Sequence, residues 1–123
     1  MATRSTISYM AENGVIYNTY CHWDGYLEYL GNILYKHLSN DADAKFISQM
    51  GEISSLSLVE GYRLGVTFIS DSSYNVFTSI DELFNSFEEY NYLYKEAEER
   101  WYLIMPNFSD NTYPLKPLYD FEE

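Results

Sequence analysis

The strongest local structural signal in the sequence is residues 6–21, which read TISYMAENGVIYNTYC. Residues 6–10 and 15–21 are rich in β-branched and aromatic side chains, and they flank an Asn-Gly pair. Asn-Gly is the preferred pair for a two-residue type I′ turn, in which both central residues have positive φ. The stretch therefore predicts a β-hairpin that is closed by a type I′ turn at Asn13 and Gly14.

Two helices are predicted after this hairpin. Leucines recur at helical spacing at positions 27, 30, 34 and 38. Asp24 precedes this run and is suited to accept hydrogen bonds from the first free amides, so a helix is expected over about 25–38. A second helix is expected after residues 39–41, and Gly51 supplies a left-handed stop for it. Its apolar stripe is Phe46, Ile47 and Met50.

The rest of the chain predicts further strands and one more helix. Residues 52–61 are Ser-rich and are expected to form a loop, whereas 63–69 and 74–77 favour two strands paired across a turn at 71–73. Ser79 with Glu82 is a capping box that predicts a short helix. Residues 90–95 and 100–105 are aromatic strands that flank an acidic turn at 96–99.

Together these elements predict an α+β protein. One domain spans residues 1–123, with an antiparallel β-sheet of hairpins packed against about three short helices. Residues 106–123 form a Pro-containing C-terminal tail that packs on this domain. A chain of 123 residues buries about two-thirds of its unfolded surface, which is enough for a core.

The expected compartment is the cytoplasm. Cys21 is the only cysteine, which excludes an intrachain disulfide and favours a reducing environment. The first eight residues do not resemble a signal peptide, and the longest apolar run, residues 101–105, is too short to span a bilayer. The sequence therefore predicts neither targeting nor membrane insertion.

The charge of the chain is strongly negative. Seven Lys and Arg face nineteen Asp and Glu, which gives a net charge of −12. From Asp71 onward we count twelve acids and three bases, against seven acids and four bases before it. Such a surface repels nucleic acid and anionic membranes and attracts basic proteins. The alternative is a solvated face that only keeps the protein soluble.

No catalytic site, metal site or cofactor is predicted. Cys21 and His22 are adjacent, so on a strand they project to opposite faces and form no dyad. His22 and Asp24 could share a metal, but a site needs three or four ligands, and His37 is the only other histidine. The carboxylates form charge runs instead of isolated pairs suited to acid-base work. The chain is therefore not expected to be an enzyme.

Residues 20–26, YCHWDGY, form the densest cluster of polar and aromatic side chains. The structural interpretation makes Asp24 a helix cap and Trp23 a core anchor. The alternative is a pocket at a helix N-terminus, where free amides and stacking faces suit a nucleotide or another small anion. The residues of that pocket would be Arg4, His22, Trp23, Asp24 and Tyr26.

Three short patterns carry a resemblance: RSTI at 4–7, YCHWDGY at 20–26 and GEISSL at 51–56. In these patterns the chain resembles a family of small proteins encoded by bacteriophages and prophages, over roughly its first half. Relatives tend to carry a charged Arg-Asp-Arg-Gly-Glu-like run after the third strand, where this sequence has SDSS at 70–73. The resemblance implies the cytoplasm of an infected bacterium and no particular chemistry.

A small acidic phage protein without catalytic motifs is expected to inhibit host defence, as anti-CRISPR and anti-restriction proteins do. Carboxylates on a rigid surface could mimic nucleic-acid charge and occupy the cationic groove of a nuclease, while tyrosines fill the contacts between them. The partner would be a basic host protein, such as a nuclease or a CRISPR effector, and no direct binding of nucleic acid or membrane is expected. The expected anionic face comprises Glu88, Glu89, Glu96, Glu98 and Glu99, with Tyr90, Tyr92 and Tyr94 as aromatic support.

Two other functions stay open. One is a nucleotide sponge that uses the pocket around His22. The other is an oligomeric assembly protein, a homo-oligomer in which the aromatic strands pair at their edges.

Overall fold

A computed structural model describes residues 3–59, 63–68, 74–84, 86–107, 109–110 and 112–118 of the chain. The strands in these ranges are β1 (Ser5–Met10), β2 (Ile16–Cys21), β3 (Glu52–Val59), β4 (Arg63–Phe68), β5 (Asn75–Phe77), β6 (Tyr90–Lys95), β7 (Arg100–Ile104) and β8 (Leu115–Pro117). The helices are α1 (Asn32–His37), which continues a π-helical turn at Leu27–Gly31, then α2 (Asp41–Ser48) and α3 (Ile80–Phe84). The predicted α+β class and the single domain are confirmed.

The strands form one mixed sheet with the order β4-β3-β2-β1-β6-β7-β8, and β5 pairs with β2 outside this path. Two pairs, β1 with β6 and β2 with β3, are parallel. The expectation of an antiparallel sheet is therefore wrong at these two pairs. Parallel neighbours need a long connection, and the chain supplies one through α1 and α2 before β3.

The first hairpin is confirmed, but its turn differs from the prediction. β1 and β2 pair from Ser5 with Cys21 to Met10 with Ile16. Gly14 N donates to Ala11 O at 2.9 Å, and Gly14, at φ 90°, is the residue of this loop with positive φ. The loop is thus a three-residue turn with a left-handed glycine at its end, not a type I′ turn.

The first helix begins later than expected, and Asp24 does not cap it. Tyr26 is the residue before the first helical turn, and its side chain makes no capping hydrogen bond. Asp24 has a left-handed φ of 57°. Gly25 N donates to Thr3 O at 3.0 Å, so the chain turns against the N-terminal residues before the helix starts.

The second helix is confirmed, with a correction to its apolar stripe. The Asn40 side chain accepts a hydrogen bond from Asp43 N at 2.9 Å, and Gly51 has a φ of 96°. Ala44 and Ile47 are buried, whereas Phe46 is 64% exposed. Phe46 lies two residues after Ala44, which places it on the opposite side of the helix at 3.6 residues per turn.

The expected loop at 52–61 is wrong, because residues 52–59 form β3. β3 pairs with β2 on one side and with β4 on the other, so sheet pairing overrides the low strand propensity of its serines. The strand at 74–77 was expected to pair with β4, but β5 pairs with β2, with Val76 opposite Tyr17. The expected turn at 71–73 lies outside the described residues.

The third helix and the last hairpin follow the prediction. Glu82 N donates to Ser79 Oγ at 3.2 Å, as in a capping box, but the Glu82 carboxylate accepts from Thr78 N. β6 and β7 pair from Asn91 with Ile104 to Lys95 with Arg100. The C-terminal segment adds β8 to the edge of β7.

The sheet carries a core on each face. On one face α1 and α2 cover a large cluster that includes Tyr9, Tyr92, Tyr94 and Trp101. On the other face α3 and the C-terminal segment cover a smaller cluster around Ile16, Leu83, Leu93 and Ile104. In the part of the chain that the structure describes, no helix has the length and apolar character needed to cross a membrane.

Candidate functional site

The carboxylates of the expected anionic face lie in two groups at opposite ends of β6. Glu88 and Glu89 come just before β6, and Glu96, Glu98 and Glu99 come just after it. A strand of six residues spans roughly 20 Å. The expectation of one continuous face is therefore wrong, because the extended strand holds its two flanks apart. We call the end where β1 and β6 begin the His22 end, and the opposite end the turn end.

Two of the three tyrosines expected to support that face are core residues. Tyr92 and Tyr94 are fully buried, and Tyr90 is half-buried. Alternate residues of a strand share one face, so Tyr90, Tyr92 and Tyr94 all point towards α1 and α2. Tyr92 Oη donates to Gly25 O, and Tyr94 Oη donates to Asp41 Oδ1, both at 2.8 Å. The expected surface role of Tyr92 and Tyr94 is wrong.

Two of the three carboxylates at the turn end, Glu96 and Glu98, are engaged within the fold. Glu96 accepts hydrogen bonds from the Tyr9 hydroxyl and from Glu12 N. Glu98 accepts from the Tyr102 hydroxyl and forms an ion pair with Lys95 at 3.4 Å. These donors lower the pKa of both carboxylates.

Positive charge also interleaves with the acidic turn. Lys95 and Arg100 are the paired residues on either side of it, and both lie close enough to Glu98 to lower its pKa. Lys45 also lowers the pKa of Glu96, by a smaller amount than its hydrogen bonds do. Because Lys95 and Arg100 flank the three glutamates of the turn, their positive charges offset most of its negative charge.

The hydrogen bond between Tyr9 and Glu96 makes a prediction about acid stability. The pKa of Glu96 lies below its ordinary value of 4.5 because the Tyr9 hydroxyl and the Glu12 amide favour the ionised carboxylate. Its contribution to stability is therefore present above pH 4.5 and is lost as the pH falls through the lower folded pKa. Tyr9→Phe is expected to lower stability at neutral pH, and the difference from wild type should shrink on acidification.

Urea unfolding of both proteins at a series of pH values between about 6 and 3 measures this difference. Tyr35→Phe, at an exposed tyrosine, is the control and should leave the pH dependence unchanged. A constant difference between wild type and Tyr9→Phe at all pH values would contradict the assignment to Glu96.

Two residues of the expected pocket, Arg4 and His22, lie at the His22 end. Their neighbours there, Tyr20 and Glu52, were not predicted to belong to the pocket. His22 Nε2 lies 3.1 Å from Glu52 Oε1, and the Tyr20 and His22 rings meet edge to face at 4.4 Å between centroids. Burial raises the pKa of Tyr20, the negative charge of Glu88 adds to this, and Arg4 acts against it. Arg4 and His22 thus share one neighbourhood with Tyr20 and Glu52. The sequence did not predict Glu52 at this site, because residues 52–61 were expected to form a loop. Only the pairing of β3 with β2 brings Glu52 opposite Tyr20.

The other pocket residues lie on the loop between β2 and the first helix, and they are exposed. Trp23 is 49% exposed, so its expected role as a core anchor is wrong, and Asp24 and Tyr26 are exposed as well. The anchoring residue of this region is Cys21, which is buried and whose Sγ lies 3.4 Å from Trp23 O. Burial raises the pKa of the Cys21 thiol, which keeps it protonated and unreactive.

Carboxylates surround the His22 end on several elements. Glu89 Oε1 lies 3.5 Å from Arg4 N, Glu52 pairs with His22, and Glu88 acts on Tyr20. Burial raises the pKa values of Tyr29 and Tyr92, and the negative charges of Asp24 and Glu28, respectively, add to this. We call this set the acidic rim; its members are Asp24, Glu28, Glu52, Glu88 and Glu89. Arg4 lies in the same neighbourhood: its backbone N is the atom near Glu89, and its side chain acts on Tyr20.

The His22 end combines several carboxylates with exposed aromatic rings. Among the described residues, no group of three or more His, Cys, Asp or Glu side chains is placed to hold a metal ion. The rim instead combines negative charge with the exposed aromatic rings of Trp23 and Tyr26. Such a surface can bind cationic groups on another molecule.

Comparisons of the chain with protein-family models, with curated proteins and with solved structures find no match. The resemblance to phage proteins therefore stays a prediction.

Proposed function

We propose that this protein binds a positively charged partner protein through the acidic rim. In an infected bacterium the partner would be a host defence nuclease or another nucleic-acid-binding protein, so that the chain acts as an inhibitor of the anti-CRISPR or anti-restriction type. The net charge of −12 supports fast, salt-sensitive association with such a partner. Carboxylates of the rim would occupy positions that phosphates take in the cationic groove.

The observation that carries this proposal is the composition of the rim. Five carboxylates, from β3, the segment before β6 and the segment after β2, lie at the same end of the sheet as Arg4 and the exposed rings of Trp23 and Tyr26. The acidic turn differs, because two basic side chains, Lys95 and Arg100, flank its three glutamates. The contact is therefore proposed at the His22 end instead of the turn end.

A nucleotide sponge is less well supported by the same geometry. A nucleotide phosphate would approach Arg4 and His22 among the carboxylates of the rim, which would repel it. His22 is also paired with Glu52. Assembly through the aromatic strands is disfavoured for another reason, since β6 and β7 each have a neighbouring strand on both sides.

Neutralising the rim is expected to weaken partner binding by about tenfold or more, because close charge pairs across an interface contribute at least this factor. Glu88→Gln with Glu89→Gln removes two rim carboxylates. Glu98→Gln with Glu99→Gln removes two from the turn end, so both double variants change the net charge equally. Only the variant with Glu88→Gln and Glu89→Gln should lose binding of the partner protein.

The measurement is a pull-down from phage-host lysate at low and high salt, with bound proteins identified by mass spectrometry. The expected result is a basic nucleic-acid-binding protein that wild type and the turn variant retain at low salt and release at high salt. Inhibition of the nuclease activity of that protein then tests the role. Retention by the rim variant together with loss by the turn variant would overturn the placement of the contact.

A further inference from the structure

Trp23 is a strongly exposed aromatic residue next to Asp24 of the acidic rim. The chain has two tryptophans; Trp101 is 1% exposed, whereas Trp23 is 49% exposed. Tryptophan is usually well buried, and it is enriched among the few residues that dominate binding at protein interfaces. An exposed tryptophan within a charged surface is therefore a candidate contact residue.

The backbone that presents Trp23 is held in place on both sides. Trp23 N donates to Ser54 O at 2.8 Å, and His22 N donates to Ile53 O at 3.1 Å, which fastens the loop to β3. Two residues later, Gly25 N donates to Thr3 O and Gly25 O accepts from Tyr92 Oη. A loop whose backbone is already fixed need not be ordered on binding, so more of its contact energy appears as affinity.

The charges around Trp23 select the kind of side chain that fits it. Asp24 follows it directly and is exposed; burial raises the pKa of Tyr29, and the nearby charge of Asp24 adds to this. Tyr29 in turn packs against the exposed Tyr26, with 5.8 Å between the ring centroids. The loop therefore offers aromatic faces next to a carboxylate.

A guanidinium group matches both features at once. It stacks on aromatic faces through its planar, delocalised cation, and its fork of N–H donors pairs with a carboxylate. A lysine ammonium is more strongly hydrated and lacks the flat face, so it fits the same surface less well.

From this we infer that Trp23, with Asp24 and Tyr26, forms the contact that recognises an arginine side chain of the partner. This inference rests on the proposed function and assigns its specificity to one loop. The other carboxylates of the rim attract any basic protein, whereas Trp23 distinguishes an arginine side chain from a lysine side chain.

The test uses two labelled peptides of equal length and charge, one arginine-rich and one lysine-rich, titrated with the full chain and followed by fluorescence anisotropy. Wild type should bind the arginine peptide more tightly by about two- to fivefold, which is a fraction of a whole cation–π contact because lysine also forms one. Trp23→Ala should abolish this preference. Phe46→Ala, which removes another strongly exposed ring on the solvent side of α2, should keep it.

Two further variants separate the roles of ring and charge. Asp24→Asn keeps a residue that tolerates the left-handed φ and removes the charge, so it should weaken binding of the arginine peptide more than of the lysine peptide. The intrinsic fluorescence of wild type should become protected from iodide quenching when the arginine peptide binds. Trp23→Phe should lose this protection, because Trp101 is buried in either state.

The outcomes distinguish this inference from the proposed function. Equal affinity of wild type for both peptides, unchanged by Trp23→Ala but weakened by Glu88→Gln with Glu89→Gln, would overturn the arginine contact and leave the acidic rim as the binding surface. Failure of wild type to bind either peptide would overturn both.

Discussion

Trp101→Ala is expected to destabilise the protein by about 3–5 kcal/mol, the range for removing a large aromatic side chain from a core. Trp101 is buried in the core under α1 and α2, and its ring meets Tyr94 edge to face at 5.4 Å. Its Nε1 donates to Leu38 O at 3.0 Å, which ties β7 to the end of α1. Alanine would leave a cavity and a buried carbonyl without this donor.

The measurement is urea unfolding followed by circular dichroism. Small domains are stable by about 5–15 kcal/mol, so the variant should lose a large fraction of its stability and unfold at a clearly lower urea concentration. Trp23→Ala is the matched control and should change the free energy of unfolding by less than about 0.5 kcal/mol, as expected for exposed positions. A loss of under about 1 kcal/mol for Trp101→Ala would contradict the packing of β7 against α1.

The second large effect is expected at Gly25. A Cβ atom there would lie 2.4 Å from Ser5 Oγ, 2.5 Å from Ser5 Cβ and 3.0 Å from Thr3 O. The backbone cannot move away easily, because Gly25 N bonds to Thr3 O and Gly25 O accepts from Tyr92 Oη. Gly25→Ala is therefore expected to cost about 2–3 kcal/mol, at the upper end for overpacking.

A double-mutant cycle identifies the cause. Ser5→Gly removes the atoms that the new methyl group would meet, so it should recover part of the loss in Gly25→Ala. Gly14→Ala is the control: its Cβ would meet open space, and its cost comes from the positive φ of 90°. Ser5→Gly should not rescue that variant. Independent effects of Gly25→Ala and Ser5→Gly would contradict close packing between β1 and the loop that carries Trp23.

Signals between neighbouring residues predicted the local elements well. The Asn-Gly pair placed the first hairpin, and the residues before Asp41 placed the start of α2, where Asn40 caps the helix. The alternation of aromatic residues at 90–95 and 100–105 placed the last hairpin. These signals succeed because a turn, a cap or a strand pattern depends on residues close together in the chain.

The predictions of which binding residues are exposed were less accurate, because burial is not a local property. Tyr90, Tyr92 and Tyr94 alternate as a half-exposed strand would, but α1 and α2 cover the face that holds them. The structural interpretation of residues 20–26 places Trp23 in the core, yet Trp23 belongs to neither cluster of buried residues. Which faces are covered depends on how distant elements pack, and no short pattern encodes that.

By itself, the sequence determined the class of the fold, most of its strands and helices, and the excess of negative charge. The tertiary structure alone decided which carboxylates stand together. Parallel pairing of β1 with β6 brings Ser5 opposite Tyr90, and pairing of β2 with β3 brings Glu52 opposite Tyr20. Local propensity acts over a few residues, whereas these pairings join segments tens of residues apart and are stabilised only when the whole sheet and both of its cores have formed.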